Sequence, residues 1–373
     1  MVEPMTTWSI REVPVCDTVD APEAWLLHGY TAAMNEVLLT SWGNRDFERS
    51  AREVLGSLHD QRYDRKPRWV AVRDDGSDAP DPERVLAYAA VNMPLQDNTH
   101  TAHVDLGVRP THRSQGIGTA LFDAAEAVVR ADGRTNLTMS TDQQAEPPEG
   151  PDTLAPSTGS GRVSTTAAGT RFALSRGFAL EQVARYSRFD LPFDPAFIAE
   201  HRAQAEAKAG PDYGVVSWRG ATPEEWVDQF ALLNTRMSTD VPLGGLDLQE
   251  DVWDAERVRS LEKQFEERGM TLLVLAAEHV PTHTLAAFTC FMAVPNSDEF
   301  VHQDDTLVLK EHRGKRLGML VKTANLQRLA VERPKVRRIG TWNAAETSYR
   351  LAINVALGFR PAGGSGEWQL KLS

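Results

Sequence analysis

The chain has 373 residues, 41% of them hydrophobic and 25% charged, which is the balance of a globular protein rather than of a disordered or membrane-spanning one. Its formal net charge of −12 argues against nucleic-acid binding, since phosphate neutralisation needs a basic face, and suits a cationic small-molecule partner. The two cysteines, Cys16 and Cys290, are too few for a disulfide framework or a zinc site; with no apolar signal core in MVEPMTTWSI, the expectation is a cytoplasmic protein without metal or membrane partner.

In chain order, residues 7–13 read as a strand, 21–39 and 46–58 as helices, and 68–73, 85–94 and 101–108 as three further strands. A basic, glycine-containing turn follows, and then a helix with Leu121, Ala124, Ala125, Val128 and Val129 on one face. A strand is expected at 135–141. Residues 143–164, rich in Pro, Gly, Ser and acid without periodicity, read as a mobile surface loop. A helix over 165–175 stops at Gly177-Phe178, and a strand over 185–191 ends the first half. Residues 199–209 form an Ala/Glu/Lys/Arg-rich helical stretch that reads as a linker.

The second half opens with a strand at 215–218 and a helix start at Thr222-Pro223, running to about Met237. After a loop over 238–245 come a helix at 254–268 and strands at 271–278, 285–294 and 306–310. A helix with Leu317, Leu320, Val321 and Ala324 on one face, a strand at 338–342, a Gly358-Phe359 pair and a last strand at 368–372 complete it. Met237, Trp226, Trp253 and Trp342 are most simply core.

The halves share a pattern. Asp105, Val108, His112, Arg113 and Gly118 recur 200 residues later as Asp305, Val308, His312, Arg313 and Gly318 without a gap. Both copies lie where a strand feeds a turn that opens a helix, and such a turn is an anion site: unpaired amides and the positive dipole end converge there. From Asp105 to Gly177 is 72 residues and from Asp305 to Gly358 is 53, so the copies differ by 19 residues, about the size of the Pro/Gly/Ser stretch. Neither turn has the spacing of a phosphate-loop ATPase or of a dinucleotide-binding fingerprint.

Arg113-Ser-Gln-Gly-Ile-Gly118 resembles the acyl-CoA loop of the GCN5-related N-acetyltransferases, Q/R-x-x-G-x-G/A. The resemblance extends over the chain as two α/β domains in tandem, each a mixed, mostly antiparallel sheet flanked by helices: residues 1–192, a helical linker at 193–211, and residues 212–373. It implies that acetyl-CoA is held by the loop amides with its pantetheine arm along the preceding strand. The implied residues are Leu106, Val108, Arg109, Arg113, Gln115, Gly116, Ile117, Gly118 and Thr119. In the second domain they are Val308, Arg313, Gly314, Lys315, Arg316, Leu317, Gly318 and Asn343. Arg316 stands where the first loop has Gly116. A backbone kept helical there would leave its amide free and place the guanidinium near the phosphates; a side chain that blocks close approach is the competing reading.

Acyl transfer to an amine needs a neutral amine, a donor for the developing oxyanion and a proton for the leaving thiolate. Many family members supply that proton from a Tyr four residues before the Gly of the terminal Gly-Phe pair. Here the positions hold Ala173 and Asn354, and Tyr349 offers a substitute acid. Asp105 or Asp305 could relay a proton from the substrate, or could instead pair with His112 or His312, which otherwise read as packed structural residues. Asp240, Glu299 and Asp304 are candidates for binding a cationic amine, against a plain surface role. Because Asn354 is polar and Ala173 is not, the expected active site lies in the second domain, supported by the first. The expected activity is acetyl-CoA-dependent N-acetylation of a small primary amine by direct attack, in a monomer or homodimer. A catalytically silent CoA-binding or regulatory protein and an O-acyl or longer-chain acyltransferase are the alternatives.

Overall fold

A computed structural model describes residues 7–372 except 78, 240, 241, 346 and 347. The chain divides into two compact units: residues 1–183, 245–248 and 365–373 form the first, and residues 184–244 and 249–364 the second. These boundaries differ from a division at residue 192, because each half of the chain gives a strand segment to the other half's unit.

The first unit runs β1 (Trp8–Glu12), α1 (Trp25–Trp42), α2 (Ala51–His59), β2 (Asp64–Arg65), β3 (Arg68–Arg73), β4 (Val85–Pro94), β5 (Thr101–Val108), α3 (Ile117–Ala131), β6 (Asn136–Gln143), β7 (Thr153–Leu154), β8 (Val163–Ser164) and α4 (Ala168–Ser175). It ends with the start of β9 (Ala179–Asp190). Its sheet order is β1-β3-β4-β5-β6, antiparallel except that β5 and β6 are parallel. The last seven residues of β15 (Arg360–Lys371) belong to this unit and lie beside β6. They are fixed there by Trp368 Nε1 donating to Thr141 Oγ1 (2.9 Å), Asn136 Nδ2 to Gln369 Oε1 (3.0 Å) and the Leu372 amide to the Thr135 carbonyl (2.8 Å).

Helices cover both faces of this sheet for the usual reason, an apolar stripe that water rejects. On one side α1 and α2 bury Leu27, Tyr30, Val54, Leu55 and Leu58 against Val70, Val72 and Tyr88. Ser50 starts α2 as a capping box with Glu53. On the other side α3 buries Ile117, Leu121, Phe122, Ala125 and Val129, with the Phe122 ring edge-on to Phe172 and Phe178. Residues 143–164, expected as an irregular mobile loop, instead carry the β7–β8 hairpin, and Val163 is buried.

The second unit holds the rest of β9, α5 (Pro195–Ala209), β10 (Tyr213–Arg219), α6 (Val227–Thr239), α7 (Ala255–Glu267), β11 (Thr271–His279), β12 (Thr284–Ala293), β13 (Phe300–Val308), α8 (Leu317–Glu332), β14 (Arg338–Ala344) and α9 (Ser348–Leu357). Its sheet order is β9-β14-β13-β12-β11-β10, again with one parallel pair, β13–β14. Helix α5 is not a linker. It buries Ile198, Ala205 and Ala209 in the same core as Leu320, Ala324 and Leu329 of α8, and Arg202 Nη1 donates to Gln327 Oε1 at 2.7 Å. That second covering explains why α8 is buried far beyond its expected face, including Lys322, Thr323 and Asn325. The helix after Thr222-Pro223 begins only at Val227; the Thr222 amide donates to Glu262 Oε1 (2.7 Å).

Candidate active site

Each unit's parallel strand pair parts after a few residues. In the first unit the β5–β6 register covers only Thr101–His103 against Asn136–Thr138, while β5 runs on to Val108 and β6 to Gln143. In the second it covers Phe300–Gln303 against Arg338–Thr341. Residues 104–108 and 304–308 therefore present a backbone edge to a notch at the strands' C-terminal ends, the kind of edge to which an extended amide chain can pair.

The expected anion loops cap these notches. After β5 the chain turns through Pro110–His112; Ser114 (φ 61°) and Gly116 (φ 81°) then take left-handed conformations, and α3 begins without a side-chain cap. Alternating conformations of this kind aim successive amides into one concavity, and the first turn of a helix has no intrahelical acceptors for its N–H groups. Gln115 and Thr119 are exposed at the loop, whereas Ile117 is buried and offers only its backbone. A Cβ on Gly118 would lie 3.4 Å from Val108 and 3.8 Å from Leu106, so this glycine sits directly over the strand's apolar side chains. Arg113 is exposed, with Nε donating to the Val108 carbonyl at 3.2 Å. Arg109 turns away from the loop: Nε donates to the Val85 carbonyl at 2.7 Å and Nη1 pairs with Glu36.

The second loop has the same backbone with its residues exchanged. Gly314 (φ 81°) occupies the place of Ser114, and Arg316 (φ 56°, ψ 24°) that of Gly116. Arg316 is thus left-handed, not helical as expected; the amide geometry is kept at a local cost of about 1–2 kcal/mol for an L-residue. Its guanidinium reaches Gln204 at 3.4 Å. Arg313 repeats the contact of Arg113, to the Val308 carbonyl at 3.3 Å; Lys315 is exposed and Leu317 buried. A Cβ on Gly318 would meet Ile353 at 3.2 Å, beside an open cavity of about 210 Å³ lined by Arg316, Met319, Ala352, Ile353 and Ala356.

Of the expected site residues, the catalytic candidate Asn354 and the cofactor-binding candidate Asn343 come together in the second unit. Asn354 is 1% exposed, donates to Asn343 Oδ1 at 2.7 Å and accepts from the buried Lys322 ammonium at 2.8 Å. Ala173 and Asn354 are structural counterparts, since the amides of Phe178 and Phe359 donate to their carbonyls at 3.1 and 2.9 Å. Tyr349 lies within α9, and Asp240 lies outside the described residues. Glu299 precedes β13 at the end opposite the loop, roughly 30 Å of strand away, and pairs with Arg338 at 3.4 Å. It therefore lies at the far end of β13 from the loop. Asp304 and Asp305 lie where β12 and β13 slip register, and their surroundings push the Asp304 carboxyl above its ordinary range. The anticipated pairing of Asp with His is replaced by other contacts: Tyr88 Oη donates to Asp105 at 3.4 Å, His112 faces Arg73 at 3.5 Å, and His312 shares a 2.9 Å hydrogen bond with Tyr213.

The first unit carries a constellation that sequence reasoning missed. Trp42, at the end of α1, donates its indole N–H to Asp142 Oδ2 at 3.0 Å. Asp142 is an exposed residue, yet protein crowds its carboxylate; this desolvation first, then the charge of Asp105, and further that of Glu367, lift it to about 7, with the Trp42 hydrogen bond opposing. Ser140 Oγ donates to Glu367 at 2.6 Å. Asp105 borders two buried tyrosines stacked edge to face at 5.3 Å, Tyr30 and Tyr88. Burial above all pushes Tyr30 up to about 12. A Cβ on Gly107 would come within 2.5 Å of the Tyr88 ring, so that glycine is what lets the ring lie against β5. The second unit has Phe288 and Leu307 at these two places, and the strand registers set Ala344 at the place of Asp142. A carboxylate that titrates near neutrality, at the mouth of a notch capped by an anion loop, can take a proton from an ammonium.

A mixed sheet that splays beside an amide-lined loop, with helices on both faces, defines the GNAT class of acyl-CoA-dependent folds. Residues 31–147 match the model of the acetyltransferase (GNAT) family. Among solved structures, the chain is similar to a tandem GNAT protein from the clavulanic acid biosynthesis pathway, with 24% identity, 98% of each chain covered and a TM-score of 0.75. It is also similar to a GCN5-related N-acetyltransferase from Sphaerobacter thermophilus (15% identity, 98% of this chain and 95% of that one, TM-score 0.57). The N-myristoyltransferase of Saccharomyces cerevisiae is a more distant likeness (12% identity, 100% of this chain and 81% of that one, TM-score 0.55). None of the curated proteins matches the sequence. The chain as a whole has the fold of tandem GNAT proteins, and its residues 31–147 carry the match to the acetyltransferase (GNAT) family. Among the described residues no group of acids, histidines and cysteines could hold a metal, and no helix is long and apolar enough to cross a membrane.

Proposed function

We propose that the protein is an acetyl-CoA-dependent N-acetyltransferase acting on a small primary amine, and that its reaction centre lies in the first unit. The observation that carries this reading is Asp142, raised to about 7 in the notch beneath the better-formed anion loop. The amides of residues 115–119 would hold the pyrophosphate, and the open edge of β5 at Leu106 and Val108 the pantetheine arm. Acetyl-CoA supplies the activated acyl carbon. Asp142, oriented by Trp42, takes the proton from the substrate ammonium and leaves the neutral amine to attack directly. Ala173 has no proton to give, so water protonates the departing thiolate. The second unit is a diverged duplicate that keeps the loop without the base and supports the first.

A chromogenic thiol reagent, acetyl-CoA and a panel of amines test this. Both cysteines of the protein are buried, so the background is low. Amine-dependent thiol release is expected. Tight acetyl-CoA binding with no release from any amine would instead identify a CoA-binding protein without turnover, and release supported only by alcohols an O-acyltransferase.

A further inference from the structure

In both units the anion loop is reached through a short turn whose last residue is a histidine, His112 or His312. The strand registers give each histidine a neighbour at one equivalent place. Arg73 and His279 are the last residues of β3 and β11, and each is paired with the first residue of the next strand, Trp8 or Tyr213. In the first unit Arg73 faces His112 at 3.5 Å, and its guanidinium stays charged at any working pH. In the second unit that neighbour is an imidazole, and three rings close on one another. The His279 ring centre lies 5.2 Å from that of His312 and 5.2 Å from that of Tyr213. Tyr213 Oη shares its 2.9 Å hydrogen bond with His312 Nδ1, and His279 Nδ1 is held by Thr282 Oγ1 at 2.7 Å.

We propose that His279 and His312 form an acid-sensitive latch. It fastens the turn of the second anion loop to the end of β11 while both rings are neutral, and releases it when both are protonated. Two imidazolium ions at this separation repel, and the groups around them offer little relief. Asp212, before β10, and Glu311, within the turn, are exposed, and Glu278 on β11 is paired with His283 at 2.7 Å. The other charges of the turn, Lys310 and Arg313, are positive. Burial first, and then the charge of His279, hold His312 below its ordinary value of 6.5, with Glu311 opposing. The native state therefore binds fewer protons there than the unfolded chain does. The stabilisation is whole above 6.5 and is lost as pH falls through the lower native value. Release is local: the Leu309 and His312 amides, bonded at 2.9 Å to the Ala286 and Leu309 carbonyls, open the segment that carries Gly314 and Arg316. The latch acts on the second unit whichever unit carries the reaction.

Histidine resonances of the full-length protein, followed by NMR from pH 8 to pH 5, read the pair directly, and hydrogen exchange reads the turn. In the parent the two rings should take up their protons in separate steps. His279→Gln removes the opposing charge, so His312 should titrate in one step, about 0.5 pH units or more above the lower step of the parent. His279→Arg copies the first unit and should leave His312 near that lower step. Exchange at residues 309–316, corrected for its intrinsic pH dependence, should quicken about tenfold in the parent between pH 7.5 and pH 5.5, and much less in His279→Gln. Circular dichroism at pH 8 checks that both variants fold, and the exchange of the parent needs neither. A His312 that titrates at one pH in His279→Gln and His279→Arg would overturn the latch. So would a parental turn whose exchange is the same at both pH values.

Discussion

The indole N–H of Trp42 lies 3.0 Å from Oδ2 of Asp142 across 100 residues of chain, joining the end of α1 to the last turn-facing part of β6. This hydrogen bond opposes the desolvation and the neighbouring charges that push the carboxyl to about 7. Trp42 is itself buried, with its ring 4.6 Å from Phe47, so a phenylalanine can replace the ring while removing only the donor. Trp42→Phe should raise the acidic limb of the kcat/KM profile. A neutral donor worth about 1 kcal/mol corresponds to roughly 0.7 pH units. A limb that stays in place would mean that another group titrates.

Asp142→Asn should lower turnover by about 10²- to 10³-fold, the range in which a positioned general base acts. It should also change stability in a pH-dependent way. The folded-state pKa lies above the unfolded value near 4, so the native state binds the extra proton between those limits and stability falls as pH rises through that window. The variant should therefore be more stable than the parent at pH 8, by about 1 kcal/mol once solvent screening of this accessible group is allowed for, and nearly equal to it at pH 4. Urea unfolding at the two pH values measures the difference.

The parts of this molecule written in local sequence are legible, and those made by distant strands are not. The two anion loops announce themselves because their backbone demands left-handed residues, and Gly116 and Gly314 supply one each. The splayed strands and the helices after them follow from apolar periodicity. Asp142, Trp42 and Glu367 carry no such mark: they meet only when α1, β6 and the chain's final strand are assembled. Helix α5 hides for another reason. Its buried face is mostly alanine, so its pattern resembles that of a solvated linker although it forms part of a core. The β7–β8 hairpin is too short, at two residues a strand, to show alternation.

Arg316 keeps a conformation that its own side chain disfavours, and Gly116 shows the same backbone without that penalty. No atom lies within 4 Å of a Cβ built on Gly116, so Gly116→Ala isolates the backbone term and should cost about 1 kcal/mol. Arg316→Gly should do the reverse, by roughly 0.5 kcal/mol, since glycine also loses more freedom on folding. Thermal or urea midpoints of the two variants should move in opposite directions. A loss of stability in Arg316→Gly would show that the guanidinium contact to Gln204 outweighs the strain.

The last prediction separates the two units. Asn354 stands where many relatives have their acid, which made it the natural candidate from sequence, but its side chain is committed to a buried network: Lys322 donates to its carbonyl at 2.8 Å and it donates to Asn343 at 2.7 Å. Asn354→Ala removes both bonds and takes one acceptor from the ammonium of Lys322, a residue that is 6% exposed. Lost bonds of this kind in a buried setting cost about 1–3 kcal/mol. The variant should thus be measurably less stable, while thiol release at saturating acetyl-CoA and amine stays within about twofold of the parent at a temperature where both are folded. Asp142→Asn should show the opposite pairing, with turnover lost and stability kept or raised. If Asn354→Ala instead abolishes turnover in a protein that still unfolds at the parental midpoint, while Asp142→Asn remains active, the reaction centre belongs to the second unit and Asp142 is only a strained surface acid.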